Sequence, residues 1–322
     1  MAFEIQQFLF LHGSNVTFQG LLYNFPFGPE LAEFNCLFYK NIVQLYISTH
    51  KIKFMCKDNQ KHTHSYRIAY DLAFLVPLPA MGQKKLIRFE AIKSFPNVLQ
   101  YPEGMAGKWA EFYKNGNPLT LELACGKGEY TVGLAQMYPD RNFLGVDLKG
   151  NRIYIGAKKC LQEHITNAAF LRTKIDQVNQ YFARNEVSEI WLTFPDPQLR
   201  KSRARRRLTH PKFLRLYQQL LIPGGLIHLK TDSPVLYTFT KWVIDLCGLP
   251  LIEDSDDIYA GDGPAKDELK IKTHYEGLDI AGSSRIHYLC FALPSEPLPD
   301  IDDILHQRLM EIEKGEEHAI AD

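Results

Sequence analysis

The chain is 322 residues long, with 37 Lys and Arg against 37 Asp and Glu, so its formal net charge is zero. Such a chain can hold a polyanion only through local basic patches, which excludes binding driven by overall charge. Its 6 cysteines, Cys36, Cys56, Cys125, Cys160, Cys247 and Cys290, include no Cys-x-x-Cys pair. That spacing argues against a zinc site or a disulfide framework and fits reduced thiols in a cytoplasm, so no metal is expected.

Residues 1–80 carry apolar and aromatic clusters such as Phe8-Leu9-Phe10-Leu11 and Leu37-Phe38-Tyr39, without a sustained period or a run long enough to span a bilayer. Glu4 stands where a secretory signal would carry a basic start. Two readings of this stretch stay open: translation from a start codon upstream of Met81, or a small accessory segment. From 81 to about 295, strands and helices alternate as a doubly wound α/β sheet with helices on both faces requires. Residues 296–322 read as a linker followed by an acidic helix over 301–317, exposed to solvent.

Within 81–295 the first informative stretch is Leu119-Thr120-Leu121-Glu122-Leu123-Ala124-Cys125-Gly126-Lys127-Gly128-Glu129. It is an apolar strand running into a glycine-containing turn, and apolar residues at helical spacing follow over 130–138. Glycines let the backbone approach a ligand closely, and a helix N-terminus favours negative charge. A second strand, Asn142-Phe143-Leu144-Gly145-Val146-Asp147, ends in a carboxylate about twenty residues beyond the glycines, where such folds accept the ribose hydroxyls of a nucleoside cofactor. The dinucleotide fingerprint needs a third glycine at the position of Thr131, which disfavours NAD and an oxidoreductase. Glu122 would repel a pyrophosphate but could hold a cationic amino-acid moiety, so S-adenosylmethionine fits better.

The next strand, Ile190-Trp191-Leu192-Thr193-Phe194-Pro195-Asp196-Pro197, stops at a carboxylate held between two prolines. Beyond it lies the basic run Arg200-Lys201-Ser202-Arg203-Ala204-Arg205-Arg206-Arg207. Arginines this close repel one another unless an anion lies against them, and phosphate matches their planar forks, which points to a polyanion at Arg203, Arg205, Arg206 and Arg207. A solvated helix face is the other reading of the run taken alone. After the Pro223-Gly224-Gly225 turn, Leu226-Ile227-His228-Leu229-Lys230 forms a further strand leading to Asp232. Cys125, His210 and His228 read as structural residues.

The blocks Glu122 to Glu129, Gly145-Val146-Asp147, Trp191 to Pro197, Arg206-Arg207-Leu208-Thr209-His210-Pro211, Pro223 to Asp232 and Thr273-His274-Tyr275-Glu276, in this order and spacing, resemble the bacterial tRNA (guanine-N7)-methyltransferases. The resemblance runs from about Met81 to Leu293 and includes Arg88-Phe89 and Tyr101-Pro102. It implies a Rossmann-like class I methyltransferase sheet of seven strands, S-adenosylmethionine as donor, and the guanosine of the tRNA variable loop, position 46, as substrate. It places Glu122, Gly126, Gly128 and Asp147 on the donor, Asp196 between donor and base, and Arg200, Asp232, Thr273, Tyr275 and Glu276 on the substrate side. Two positions depart from the family pattern. Ala124 replaces its first glycine, and Lys174 stands where an acidic or amide side chain contacts the adenine, so the backbone or Asp176 must take that role. The sequence leaves the oligomeric state open.

The implied chemistry needs little from the protein. Guanine N7 has an in-plane lone pair and no proton at neutral pH, so no general base is required. The useful groups are carboxylates near the base and a pocket that aligns the reacting atoms, and Asp196 and Asp232 suit that role.

Overall fold

The computed structural model describes residues 84–276, 278 and 284–311 in full, and only the backbone of 9–12, 15–18, 44–48, 51–55, 80–83 and 312–321. The chain divides into two units, Met1–Pro79 and Ala80–Asp322. In the first, β1 (Leu9–His12) pairs antiparallel with β2 (Asn15–Phe18), and β3 (Gln44–Ser48) with β4 (Lys51–Met55). Val16 and Leu45 join the two hairpins into one four-stranded sheet. Strands of four or five residues are too short to show a period, so the sequence pattern misses them. The cluster at 37–39 lies outside the described residues.

The second unit opens with α1 (Ala80–Ala91), β5 (Val98–Gln100) and α2 (Trp109–Tyr113). Strands and helices then alternate: β6 (Leu119–Leu123), α3 (Glu129–Met137), β7 (Asn142–Asp147), α4 (Gly150–Gln162), β8 (Ala168–Arg172) and β9 (Val187–Thr193). The remainder is α5 (Pro211–Tyr217), β10 (Leu221–Thr231), α6 (Pro234–Leu246), β11 (Leu251–Ser255), β12 (His287–Ala292) and α7 (Asp302–Ala321). The eight strands order as β11-β12-β10-β9-β6-β7-β8-β5. Strands β5 to β10 run parallel, and β12 enters antiparallel between β10 and β11. The fold is the Rossmann-like class I methyltransferase sheet, its seven strands extended by β5 at the edge beside β8.

The two-residue period of the strands separates two cores. Leu119, Leu121 and Leu123 of β6, Ile190 and Leu192 of β9, and Ile227 and Leu229 of β10 pack with Phe213, Phe239 and Val243 of α5 and α6. The alternate positions face α3 and α4, with Phe143, Phe170, Trp191 and Tyr288 packed on Tyr130, Ile153 and Ala157. This second face also carries the buried polar side chains Glu122, Thr193, His228 and Lys230. The strand order reverses between β6 and β9, and the crevice at their carboxyl ends is where open α/β sheets bind ligands.

Two expectations need correction. Pro223-Gly224-Gly225 is not a turn before a strand but a bulge within β10, whose pairing jumps from Leu221–Val187 to Leu226–Glu189. The terminal helix is not exposed along its first turns, since Ile301, Leu305 and Leu309 are buried in the α5/α6 core. Three apolar residues spaced by four made that stripe, which its acidic composition obscured. Among the described residues no helix is long and apolar enough to cross a membrane.

The second unit holds both cores, so a chain cut to residues 80–322 is expected to unfold in one cooperative transition and to keep its near-ultraviolet circular dichroism. Loss of either would make the first 79 residues part of that core.

Candidate active site

Leucines of β6 feed directly into a turn whose backbone is left-handed at Ala124 (φ 60°), Gly126 (φ 56°) and Gly128 (φ 74°). Gly128 has no alternative: a Cβ there would lie 2.4 Å from the Phe170 ring. Gly126 is open on its outer side, where a Cβ would meet only Tyr275 at 4.0 Å. Ala124 carries strain of about 1–2 kcal/mol that the family's glycine would avoid, and its methyl packs against the β6 leucine core.

Asp147 closes this turn onto the next strand. Its Oδ2 accepts from the Gly126 amide at 2.9 Å and its Oδ1 from the Lys149 amide at 2.7 Å. A carboxylate has about four acceptor sites, so both oxygens retain one for a ligand hydroxyl.

Glu122 is 3% exposed and braced on both sides. Its Oε2 accepts from the amide and hydroxyl of Thr131 at 2.7 and 2.5 Å, and its Oε1 from the Thr193 hydroxyl at 2.7 Å. Burial nevertheless outweighs these bonds and pushes its pKa up from 4.5 to about 7.

Beside β6, strand β9 ends at Thr193, and the chain turns through Phe194 (φ 47°), Pro195, Asp196, Pro197 and Gln198 (φ 46°). Asp196 is exposed, and its Oδ1 accepts from the Gln198 amide at 2.9 Å. The Phe194 amide donates to the Lys230 carbonyl of neighbouring β10 at 2.8 Å, which brings the Asp196 turn to the strand that leads to half-buried Asp232.

Lys230, expected only as a strand residue, is fully buried. Its ammonium donates to the carbonyls of Leu269 and Ile271 at 2.8 and 3.0 Å and to Glu276 Oε2 at 2.9 Å. Tyr259 donates to the other Glu276 oxygen, and Thr273 Oγ1 accepts from the Glu276 amide at 3.2 Å. Desolvation lowers the Lys230 pKa against the opposing pull of Glu276. Thr273 and Glu276, expected to touch substrate, therefore turn inward and fix their own segment. Tyr275 between them stays partly exposed beside Gly126, with the Arg152 guanidinium 5.5 Å from its ring.

The basic run divides. Arg200, Arg203 and Arg206 are exposed, and Arg205 reaches Asp302 Oδ2 at 3.3 Å. Arg207 contradicts the expectation of a phosphate contact: it is 1% exposed and donates to the main-chain carbonyls of Pro197 and Gln198. The run forms a turn of 3-10 helix over Lys201–Arg206, and a residue at its end can face inward whatever its charge. Lys174 is exposed just past β8, and Asp176, the alternative for the adenine contact, is engaged by Lys212.

Between pH 4.5 and 7 the folded chain keeps a proton on Glu122 that the unfolded chain has released, so this residue's effect on stability worsens as pH rises through that window. The full effect is roughly 3 kcal/mol. Glu122→Gln, which cannot ionise, should gain stability relative to the parent between pH 5 and pH 8 in denaturant titrations. An unchanged gap at the two pH values would remove the raised pKa.

The family described as "Putative methyltransferase" matches residues 116–277, from just before β6 to just past Glu276. A protein of Bacteroides fragilis named tRNA (guanine-N(7)-)-methyltransferase is 47% identical over 225 residues, covering 67% of this chain and 88% of the relative. Proteins of the same name from Bacteroides thetaiotaomicron and Porphyromonas gingivalis are 45% identical over 234 residues and 47% over 214. They cover 69% and 63% of this chain and 92% and 86% of their own lengths. The glycine turn closed by an aspartate, the switch-point crevice and these identities have one common explanation: the chain belongs to the tRNA (guanine-N7)-methyltransferase family of class I methyltransferases.

Proposed function

We propose that this chain transfers a methyl group from S-adenosylmethionine to N7 of a guanosine in tRNA, at variable-loop position 46. The observation that carries the reading is the pairing, across the switch point, of a glycine turn closed by Asp147 with a rigid turn presenting Asp196 on the adjacent strand.

The residues fit the donor. Asp147 keeps an acceptor site on each oxygen for ribose hydroxyls, Gly126 leaves open backbone beside it, and buried Glu122 would regain its charge near a cationic moiety. S-adenosylmethionine supplies an electrophilic methyl group on a sulfonium. What the chain supplies is position and charge. The purine nitrogen brings its own lone pair and has no proton to lose, so no side chain need act as base. Positive charge moves onto the purine, and the exposed Asp196 carboxylate offsets it where that charge develops. Tyr275, beside Gly126, offers a ring face to a base entering the crevice. Arg200, Arg203, Arg205 and Arg206 all face solvent; Arg205 reaches Asp302, and the other three supply the core of the local basic patch that a neutral chain needs to hold tRNA.

Incubation with unmodified tRNA and labelled donor, followed by mass spectrometry of the nucleosides, should place the label in 7-methylguanosine; label on another base or atom would overturn the reading. Replacing Arg200, Arg203 and Arg206 by Ala should weaken tRNA binding and reduce the slope of log affinity against log salt by about 2–3, with donor affinity kept. The parent slope in that variant would make the patch a solvated face.

A further inference from the structure

The Asp196 turn is strained at both ends; its start is tied to β10 through the Phe194 amide, and one buried side chain holds its far end. Phe194 and Gln198 are both left-handed without being glycine, a conformation that costs of order 1 kcal/mol or more each and persists only where the surroundings enforce it. Among the described residues Asp196 bonds within the turn, to the Gln198 amide, so its carboxylate does not anchor the segment. The proline rings restrict φ but, having no N–H, donate no bond that ties the loop.

Arg207 reaches the turn from the far end of the basic run. Its Nε donates to the Pro197 carbonyl at 3.1 Å and its Nη2 to the Gln198 carbonyl at 3.3 Å. Its guanidinium lies 4.5 Å from the Phe239 ring of α6, and Phe239 is itself 1% exposed. No ion pair among the described residues involves Arg207, and burial pulls its pKa down to about 10. A permanent charge buried without an acid is costly, and only its hydrogen bonds and the aromatic face offset that cost. Those bonds go to the two carbonyls that follow Asp196. The planar fork reaches them from two nitrogens at a fixed spacing, a geometry that the single nitrogen of a lysine does not reproduce.

We propose that Arg207 is a positioning residue for methyl transfer, clamping the strained turn so that the Asp196 carboxylate is held toward the base. This rests on the reading of Asp196 given above. Arg207 is 1% exposed and bonds the turn rather than the crevice, so it acts through Asp196 and should leave the glycine turn undisturbed.

The test is a double-mutant cycle on turnover with unmodified tRNA, using Arg207→Lys and Asp196→Asn. Lysine keeps the charge and most of the volume, and the stoichiometry of S-adenosylmethionine binding reports the folded fraction. Arg207→Lys should lower kcat at least tenfold, with one donor site per chain and an unchanged donor Kd. In the Asp196→Asn background the same change should cost less than threefold, because the carboxylate it positions is gone. Equal losses in both backgrounds would overturn the proposal and leave Arg207 a fold residue, and full activity of Arg207→Lys would overturn it outright. Failure of the parent to form 7-methylguanosine would instead strike the functional reading.

Discussion

The site is organised around one fully buried ammonium group. Lys230 lies on the polar face of β10, enclosed by the rings of Tyr130 and Phe194 at 5.4 and 5.8 Å. Its three donors go to two carbonyls and Glu276, all in residues 269–276, while its own carbonyl accepts from Phe194. One residue therefore ties the segment bearing Tyr275 to the turn bearing Asp196. A buried ion pair adds little net stability once desolvation is counted, but removing one partner leaves the other charged and uncompensated, at a cost of about 3–5 kcal/mol. The pair's effect lies in selecting one arrangement of the segment.

The sheet makes this possible by dividing its work between faces. The face toward α5, α6 and α7 is lined by leucine, isoleucine, valine and phenylalanine and supplies the apolar burial. The face toward α3 and α4 carries the charges. At the amino-terminal end of its central strands, Glu189 accepts from Arg141, lies 2.6 Å from His228 Nε2 and accepts from Trp191 at 3.1 Å. Burial raises the Glu189 pKa, yet His228 and Arg141 overcome it and hold it at about 2. At the carboxyl-terminal end Glu122 has hydroxyl and amide donors but, among the described residues, no paired cation, and its pKa rises to about 7. The same residue type is kept charged at one end and near neutrality at the other, and only the second has capacity for a cationic ligand.

Strand ends, the glycine turn and the carboxylates of Asp147 and Asp196 were legible because each sits at a fixed offset from an apolar run. The direction of a side chain within an irregular turn was not. Arg207 stands in line with four exposed arginines, and nothing in the run marks it as the one that turns inward. Thr273 and Glu276 share a block with Tyr275, yet only Tyr275 reaches the crevice, because the partner of Glu276 lies 46 positions earlier in the chain. Lys230 did leave a signal: a lysine one residue from the end of a strand buried on both faces needs a partner.

The central claim, that Lys230 holds the Tyr275 segment against β10, is tested most directly by hydrogen exchange with mass spectrometry on Lys230→Met. The account predicts at least tenfold faster exchange across residues 269–276, with peptides from β6 and β7 exchanging as in the parent. Unchanged protection of 269–276, or equal acceleration throughout the sheet, would contradict it.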